Sequence, residues 1–233
     1  MRLEDILQRQ PVWRGTGLAP CPPGVATGFD ALDAALPGRG WPRGELTELL
    51  GDASGIGELR LVLPALAHLG ASGKRLVWLA PPHVPYAPAL AAAGVDLAQL
   101  VVVQPRGRRE ALWAAEQVLR APASQALLAW MPRLRYAELQ RLAVAAEAGG
   151  GLAFLFRPAA AMHESSPASL RLALEAGAGE LVVRILKRRG APASAPLRLL
   201  LDLPCHALGR PALAPAPARD AGDGRRLGLP VHA

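Results

Sequence analysis

The middle of this chain has a rhythm that limits its fold more than any other feature. Short runs at residues 46–50, 75–80, 100–103, 126–130 and 152–156, several of them continuously apolar, alternate with segments of helical character at 58–69, 86–93, 108–120 and 134–148. A strand with one wet face alternates polar and apolar residues, whereas a strand covered on both faces reads as an unbroken apolar run. The pattern therefore predicts an α/β fold: a mostly parallel β-sheet with helices on both sides. A further helix is expected at 29–36, ended by Pro37-Gly38. Beyond 157 the rhythm changes. A helix is expected near 167–175, and the partly alternating runs 181–187 and 197–203, joined by Gly190-Ala191-Pro192-Ala193, predict a C-terminal antiparallel hairpin.

The flanks read differently. Residues 1–24 form an expected N-terminal helix and linker: Leu3, Ile6 and Leu7 share one helical face, and a Pro- and Gly-rich stretch follows. With Trp13 they are a candidate segment for self-association, for a partner, or for docking on the chain's own core. Residues 25–203 are the expected core. Residues 204–233, rich in Pro, Ala, Gly and Arg without periodicity, are the expected disordered tail. No run of eighteen apolar residues is free of charge, Pro or Gly, so no membrane span is expected. The first five residues lack the opening of an export leader. The only cysteines, Cys21 and Cys205, make neither a disulfide framework nor a zinc spacing, which fits a cytoplasmic setting.

One loop carries a phosphate-binding layout without its chemistry. A strand, a glycine-rich loop and a helix in that order aim backbone N–H groups and a helix dipole at an anion. The working loop, G-x-x-x-x-G-K-[ST], adds a lysine for the terminal phosphates and a hydroxyl for magnesium. Here the loop runs Gly51, Asp52, Ala53, Ser54, Gly55, Ile56, Gly57, Glu58, so Gly57 stands at the lysine position and Glu58 at the hydroxyl position. Two carboxylates at the mouth repel a triphosphate. Two like charges about 4 Å apart near a surface oppose each other by about 4 kcal/mol. Gly51, Ser54, Gly55, Gly57 and Glu58 are thus the candidate remnant of a cofactor site, with no cofactor expected. No nucleophile–base pattern surrounds Ser54, Ser165 or Ser166, and His83 has no partner for metal or base chemistry.

In segment order the chain resembles the RecA-like recombinases. The residues that carry this are Val25-Ala26-Thr27-Gly28-Phe29-Asp30-Ala31-Leu32-Asp33, then Gly40 to Leu49, then Gly94-Val95-Asp96-Leu97 and Val103-Gln104-Pro105. The resemblance departs at the chemistry. Besides Gly57 and Glu58, Pro82 stands in place of the glutamate that activates water, Trp130 in place of the metal-binding aspartate, and Arg157 in place of the nucleotide-sensing glutamine. Phosphoryl transfer needs a positioned metal, neutralised charge and an oriented nucleophile, so the resemblance implies a non-hydrolysing relative and no enzyme. Among such relatives the chain looks most like the ImuA family, through Arg2 to Leu7, Trp13-Arg14-Gly15, Gly55 to Leu59, Pro81 to Leu90 and Phe154 to Pro158. That resemblance implies an accessory role in SOS-induced translesion synthesis, with ImuB, the RecA filament and an alternative polymerase III α subunit as partners. The SulA cell-division inhibitors are the alternative within the same superfamily, and a divergent weak ATPase is the alternative of another class.

Charge adds a second set of candidates. The formal net charge is +7, with 26 basic and 19 acidic residues, and 24 of the basic ones are arginine. Residues 1–100 hold 8 basic and 9 acidic side chains, so the excess lies wholly beyond them. Arg106, Arg108 and Arg109 open a helix, where positive charge opposes the dipole. Arg133, Arg135 and Arg157 lie where the resemblance implies the DNA loops of a recombinase. Lys187, Arg188 and Arg189 extend a strand. These nine are the candidate DNA or partner contacts, since a cluster of this sign attracts an anionic polymer.

Overall fold

The computed structural model describes residues 21–52, 55–70, 73–190 and 195–201. Leu3, Ile6, Leu7, Trp13 and Ser54, and the expected tail, lie outside the described residues.

The elements in chain order are α1 (Asp30–Ala35), β1 (Leu46–Leu50), α2 (Glu58–Gly70), β2 (Arg75–Leu79), α3 (Ala87–Ala92), β3 (Leu100–Val103), α4 (Arg108–Arg120), β4 (Ser124–Trp130), α5 (Tyr136–Gly149), β5 (Leu152–Arg157), β6 (Leu170–Ala176), β7 (Glu180–Lys187) and β8 (Leu197–Leu200). Single 3-10 turns at Leu97–Gln99 and Ala159–His163 precede β3 and follow β5. The eight strands form one sheet in the order β3-β2-β4-β5-β1-β6-β7-β8. β3 through β6 in that order are parallel, and β7 and β8 are antiparallel additions.

Alternation across the pleat separates two cores. Leu76 and Trp78 of β2, Leu128 of β4, Phe154 of β5 and Leu172 of β6 face α1, α2 and α3, meeting Leu32, Leu61, Leu66 and Leu90. Val77, Leu79, Leu127, Ala129, Ala153 and Leu155 face the opposite way, against Leu112, Ala115 and Leu119 of α4 and Leu139 and Leu142 of α5. This is why the parallel runs are mostly apolar: both sides are dry. The turn into α1 is set locally. Thr27 Oγ1 accepts from Phe29 N at 3.1 Å, and Asp33 Oδ1 accepts from Thr27 N at 2.9 Å, closing the start of the helix from both sides.

One expected element is corrected. Residues 167–175 are not a helix: Leu170–Ala176 is β6, parallel to β1 and antiparallel to β7. Leu, Ala, Glu and Arg favour helix locally, but Leu170, Leu172 and Leu174 also alternate with period two, and pairing on both edges decides for strand. The C-terminal part is consequently a three-strand antiparallel extension, β6-β7-β8, of which the expected hairpin is the outer half.

Polar residues enter the sheet at one place. Glu48 of β1 is fully buried, and its carboxylate takes Arg157 of β5 on Oε1 at 2.8 Å and Arg171 of β6 on Oε2 at 2.5 Å. Arg157 also meets Glu164 at 2.6 Å, and Arg171 donates to the carbonyl of Ala161 at 2.6 Å. Removing one member of such a group leaves a buried charge uncompensated and costs about 3–5 kcal/mol, whereas replacing the whole group by apolar residues is often neutral. Urea denaturation of Glu48→Leu is therefore expected to show a loss of that size. The triple variant Glu48→Leu/Arg157→Met/Arg171→Met is expected to regain most of it. Equal losses in both would show that packing, not charge, governs the position.

Candidate functional site

The carboxyl ends of β1, β2, β4 and β5 open into one cleft, the place where parallel α/β sheets bind ligands. Its volume is about 370 Å³. The floor is Leu49, Phe156 and Leu174; one wall is the glycine loop with Gly51, Asp52, Ile56 and Glu58; the other is Trp130, Pro132 and Pro158, with Ala80 and Pro82 at the side.

The loop has turned inward on itself. Gly55 and Gly57 adopt φ values of +83° and +110°, which L side chains rarely take. This aims their N–H groups at a common point, as a phosphate cradle does. The group at that point is the carboxylate of Glu58. Gly55 N donates to Oε1 at 2.9 Å and to Oε2 at 3.1 Å, and Gly57 N donates to Oε2 at 3.1 Å. The expected repulsion of a triphosphate by Glu58 thus has a more direct form: the carboxylate occupies the donors a phosphate would need. Nor is the lysine position simply vacant. A Cβ added to Gly57 would stand 2.0 Å from Leu201 Cδ1, so the chain beyond β8 fills that space. Asp52 Oδ1 accepts from Ala159 N at 2.8 Å and ties the loop to the turn after β5.

At the metal-binding position Trp130 stacks on Phe156, with ring centroids 4.5 Å apart and planes 7° from parallel. Trp78 lies behind Trp130 at 5.8 Å. No group of three or more His, Cys, Asp or Glu side chains among the described residues converges on a metal position. His83 and Pro82 are exposed on the segment after β2, and Ala80, which begins that turn, holds φ +53°.

The basic candidates separate into three groups. Arg106, Arg108, Arg109, Arg133 and Arg135 are exposed at the starts of α4 and α5, on the same side of the sheet as the cleft. Glu138 joins two of them: it accepts from Arg135 N at 2.7 Å and pairs with the Arg108 guanidinium. Arg106 N donates to Glu110 Oε2 at 2.8 Å. Lys187, Arg188 and Arg189 lie at the opposite end, because β7 runs antiparallel. Lys187 donates to the Ser166 carbonyl at 2.9 Å, Arg188 to the Ala35 carbonyl, and Arg189 pairs with Glu45 at 2.8 Å. Arg157 is corrected outright: its side chain has no exposure and is neutralised by Glu48 and Glu164, so it presents nothing to a surface ligand. Its Nε is buried without a hydrogen-bond partner.

Sequence reasoning passed over Glu48, Glu164 and Arg171. A carboxylate in an otherwise apolar strand was the available signal for Glu48. Arg171 was hidden by the helical reading of its segment.

The family model "Cell division inhibitor SulA" matches residues 46–153. A cell division inhibitor SulA from Edwardsiella piscicida is 34% identical over 98 residues, covering 42% of this chain and 58% of that protein. RecA from a Picosynechococcus strain is 33% identical over 123 residues, covering 53% of this chain and 32% of that protein. The solved structure of SulA from Pseudomonas aeruginosa aligns with 48% of this chain and 97% of its own, at 24% identity and a TM-score of 0.41. The chain thus spans little more than half the length of the SulA relative and a third of the RecA one. The sequence matches support a place in the RecA-like/SulA-like superfamily. No helix among the described residues is long and apolar enough to cross a membrane.

Glu138 offers a pH test of the arginine cluster. The N–H of Arg135 holds its carboxyl below the ordinary carboxylate range; partial burial opposes this and the Arg108 charge adds to it. A lowered folded-state value stabilises the protein above the unfolded-state value and ceases to do so as pH falls through the lowered one. Thermal melting is expected to show wild type above Glu138→Gln at neutral pH, by about 0.5–1 kcal/mol for the lost charge at the helix start and opposite Arg108, since Gln keeps an acceptor for Arg135 N. The two are expected to converge as acid protonates Glu138. A pH-independent gap would remove charge as the cause.

Proposed function

We propose that this chain is a non-catalytic accessory protein of the SOS response, acting by contact in error-prone translesion synthesis. The observation that carries the reading is the Glu58 carboxylate in the loop's own anion cradle. Trp130, stacked where the resemblance places a metal-binding aspartate, and Gly57, where it places a lysine, support a core that does not carry out phosphoryl transfer. In this reading a recombinase-shaped core without an ATP cycle binds ImuB, the RecA filament and the alternative polymerase III α subunit, in the cytoplasm. The arginines at the starts of α4 and α5 are its first candidates for DNA or partner contact.

A second reading is favoured by one specific finding. The SulA family model covers residues 46–153, which include the loop and the cleft walls up to β5. A division inhibitor would act by binding the tubulin-like division protein.

The readings separate experimentally. The accessory protein is expected to co-purify with ImuB or to co-sediment with RecA filaments, to hydrolyse no ATP above background, and to leave cell length unchanged on expression. Filamentous cells and binding to the tubulin-like protein would select the second reading. Absence of binding to both ImuB and RecA would end the first. Hydrolysis abolished by Glu58→Ala would end both in favour of an ATPase.

A further inference from the structure

The cleft that has lost its phosphate chemistry is not left without any. Its glycine-loop wall carries two carboxylates, Asp52 and Glu58, and its opposite wall an aromatic stack. The one cation among the lining residues, Arg157, is buried and held by Glu48 and Glu164, so it does not neutralise that wall.

We propose that the cleft receives a cationic side chain of a partner peptide, an arginine or a lysine, flanked by an apolar residue. The proposal deepens the accessory reading and rests on it. An anion is disfavoured because the inward N–H groups of Gly55 and Gly57 are spent on Glu58. A cation is favoured because both carboxylates keep acceptor capacity. Asp52 uses Oδ1 on Ala159 N, Oδ2 has no partner among the described residues, and each carboxylate has about four lone-pair sites. Trp130, with Phe156 and Trp78 as ring neighbours, is partly exposed on the wall opposite the loop, and a guanidinium packs against an indole while its hydrogens reach a carboxylate.

The rim supplies the apolar half of the match. Pro82 lines the cleft, and the chain after it leaves Val84 90% exposed and Tyr86 69% exposed. These are large apolar groups left uncovered by the described residues, two and four positions beyond a lining residue. Arg133, beside the wall residue Pro132, is exposed and opposes a cationic guest. It therefore gives the proposal a signed test.

The test uses the full chain and three acetylated dipeptide amides: Phe-Arg, Phe-citrulline (the uncharged isostere) and Phe-Glu, with MgATP as the fourth probe. Binding is read by tryptophan fluorescence. Phe-Arg is expected to give a saturable change that disappears in Trp130→Phe, with Phe-citrulline at least tenfold weaker and no response to Phe-Glu. Asp52→Asn keeps the Oδ1 acceptor for Ala159 and is expected to weaken Phe-Arg about tenfold, equivalent to about 1.4 kcal/mol. Arg133→Ala is expected to tighten it. Unchanged melting temperatures in the three variants would keep these readings free of folding effects.

Equal binding of the arginine and citrulline peptides, a preference for Phe-Glu, or no response to any dipeptide would overturn the proposal. In each case the accessory reading stands if MgATP is neither bound nor hydrolysed. Saturable MgATP binding that displaces Phe-Arg, followed by turnover, would overturn the accessory reading as well.

Discussion

Glu48, Arg157 and Arg171 meet in the middle of the sheet, on three adjacent strands, with almost no solvent. Each strand pair there is parallel and could slip in register at little cost to its backbone. Two guanidiniums on one carboxylate admit a single alignment of β5, β1 and β6. Glu164 and the carbonyl of Ala161 extend the hold to the turn that follows β5. That turn in turn receives Asp52 of the glycine loop. The buried charges therefore tie β5, β1 and β6 to one another and to the wall that shapes the cleft.

The same arrangement sets the wall on which the glycine loop has closed around its own carboxylate. Glu58 does not merely stand near the cradle; it fills it, and the left-handed Gly55 and Gly57 remain necessary because they still serve an anion. Leu201, arriving from β8 at the far side of the sheet, closes the space of the missing lysine side chain. Trp130 turns the metal position into one face of an aromatic stack. Restoring a lysine at 57 alone would meet Leu201 and leave Glu58 in place, so the loss is shared across the loop, β4 and the end of β8.

The basic residues show how far charge can be read without a fold. Counting along the chain locates the excess beyond residue 100 but treats it as one surface. The antiparallel turn into β7 sends Lys187, Arg188 and Arg189 to the end of the sheet away from Arg106, Arg108, Arg109, Arg133 and Arg135. Arg157 leaves the surface altogether. What remains at the cleft side are the arginines at the starts of α4 and α5, of which Arg108 pairs with Glu138, whose carboxylate also holds the start of α5.

By itself the sequence determined the class of fold and which side chains the loop lacks. Unbroken apolar runs such as 126–130 permit only a sheet covered on both faces, and Gly57-Glu58 cannot supply a lysine and a hydroxyl. These are local facts, fixed by side-chain period and functional-group chemistry. Tertiary structure decided the rest. Residues 170–176 are a strand only because β1 and β7 offer edges on both sides, against the helical leaning of their composition. Arg157 and Arg171 are core residues only because Glu48 lies between them. Glu58 fills a cradle only because two glycines point their N–H groups at it. Each depends on a partner or an angle that sequence distance does not encode.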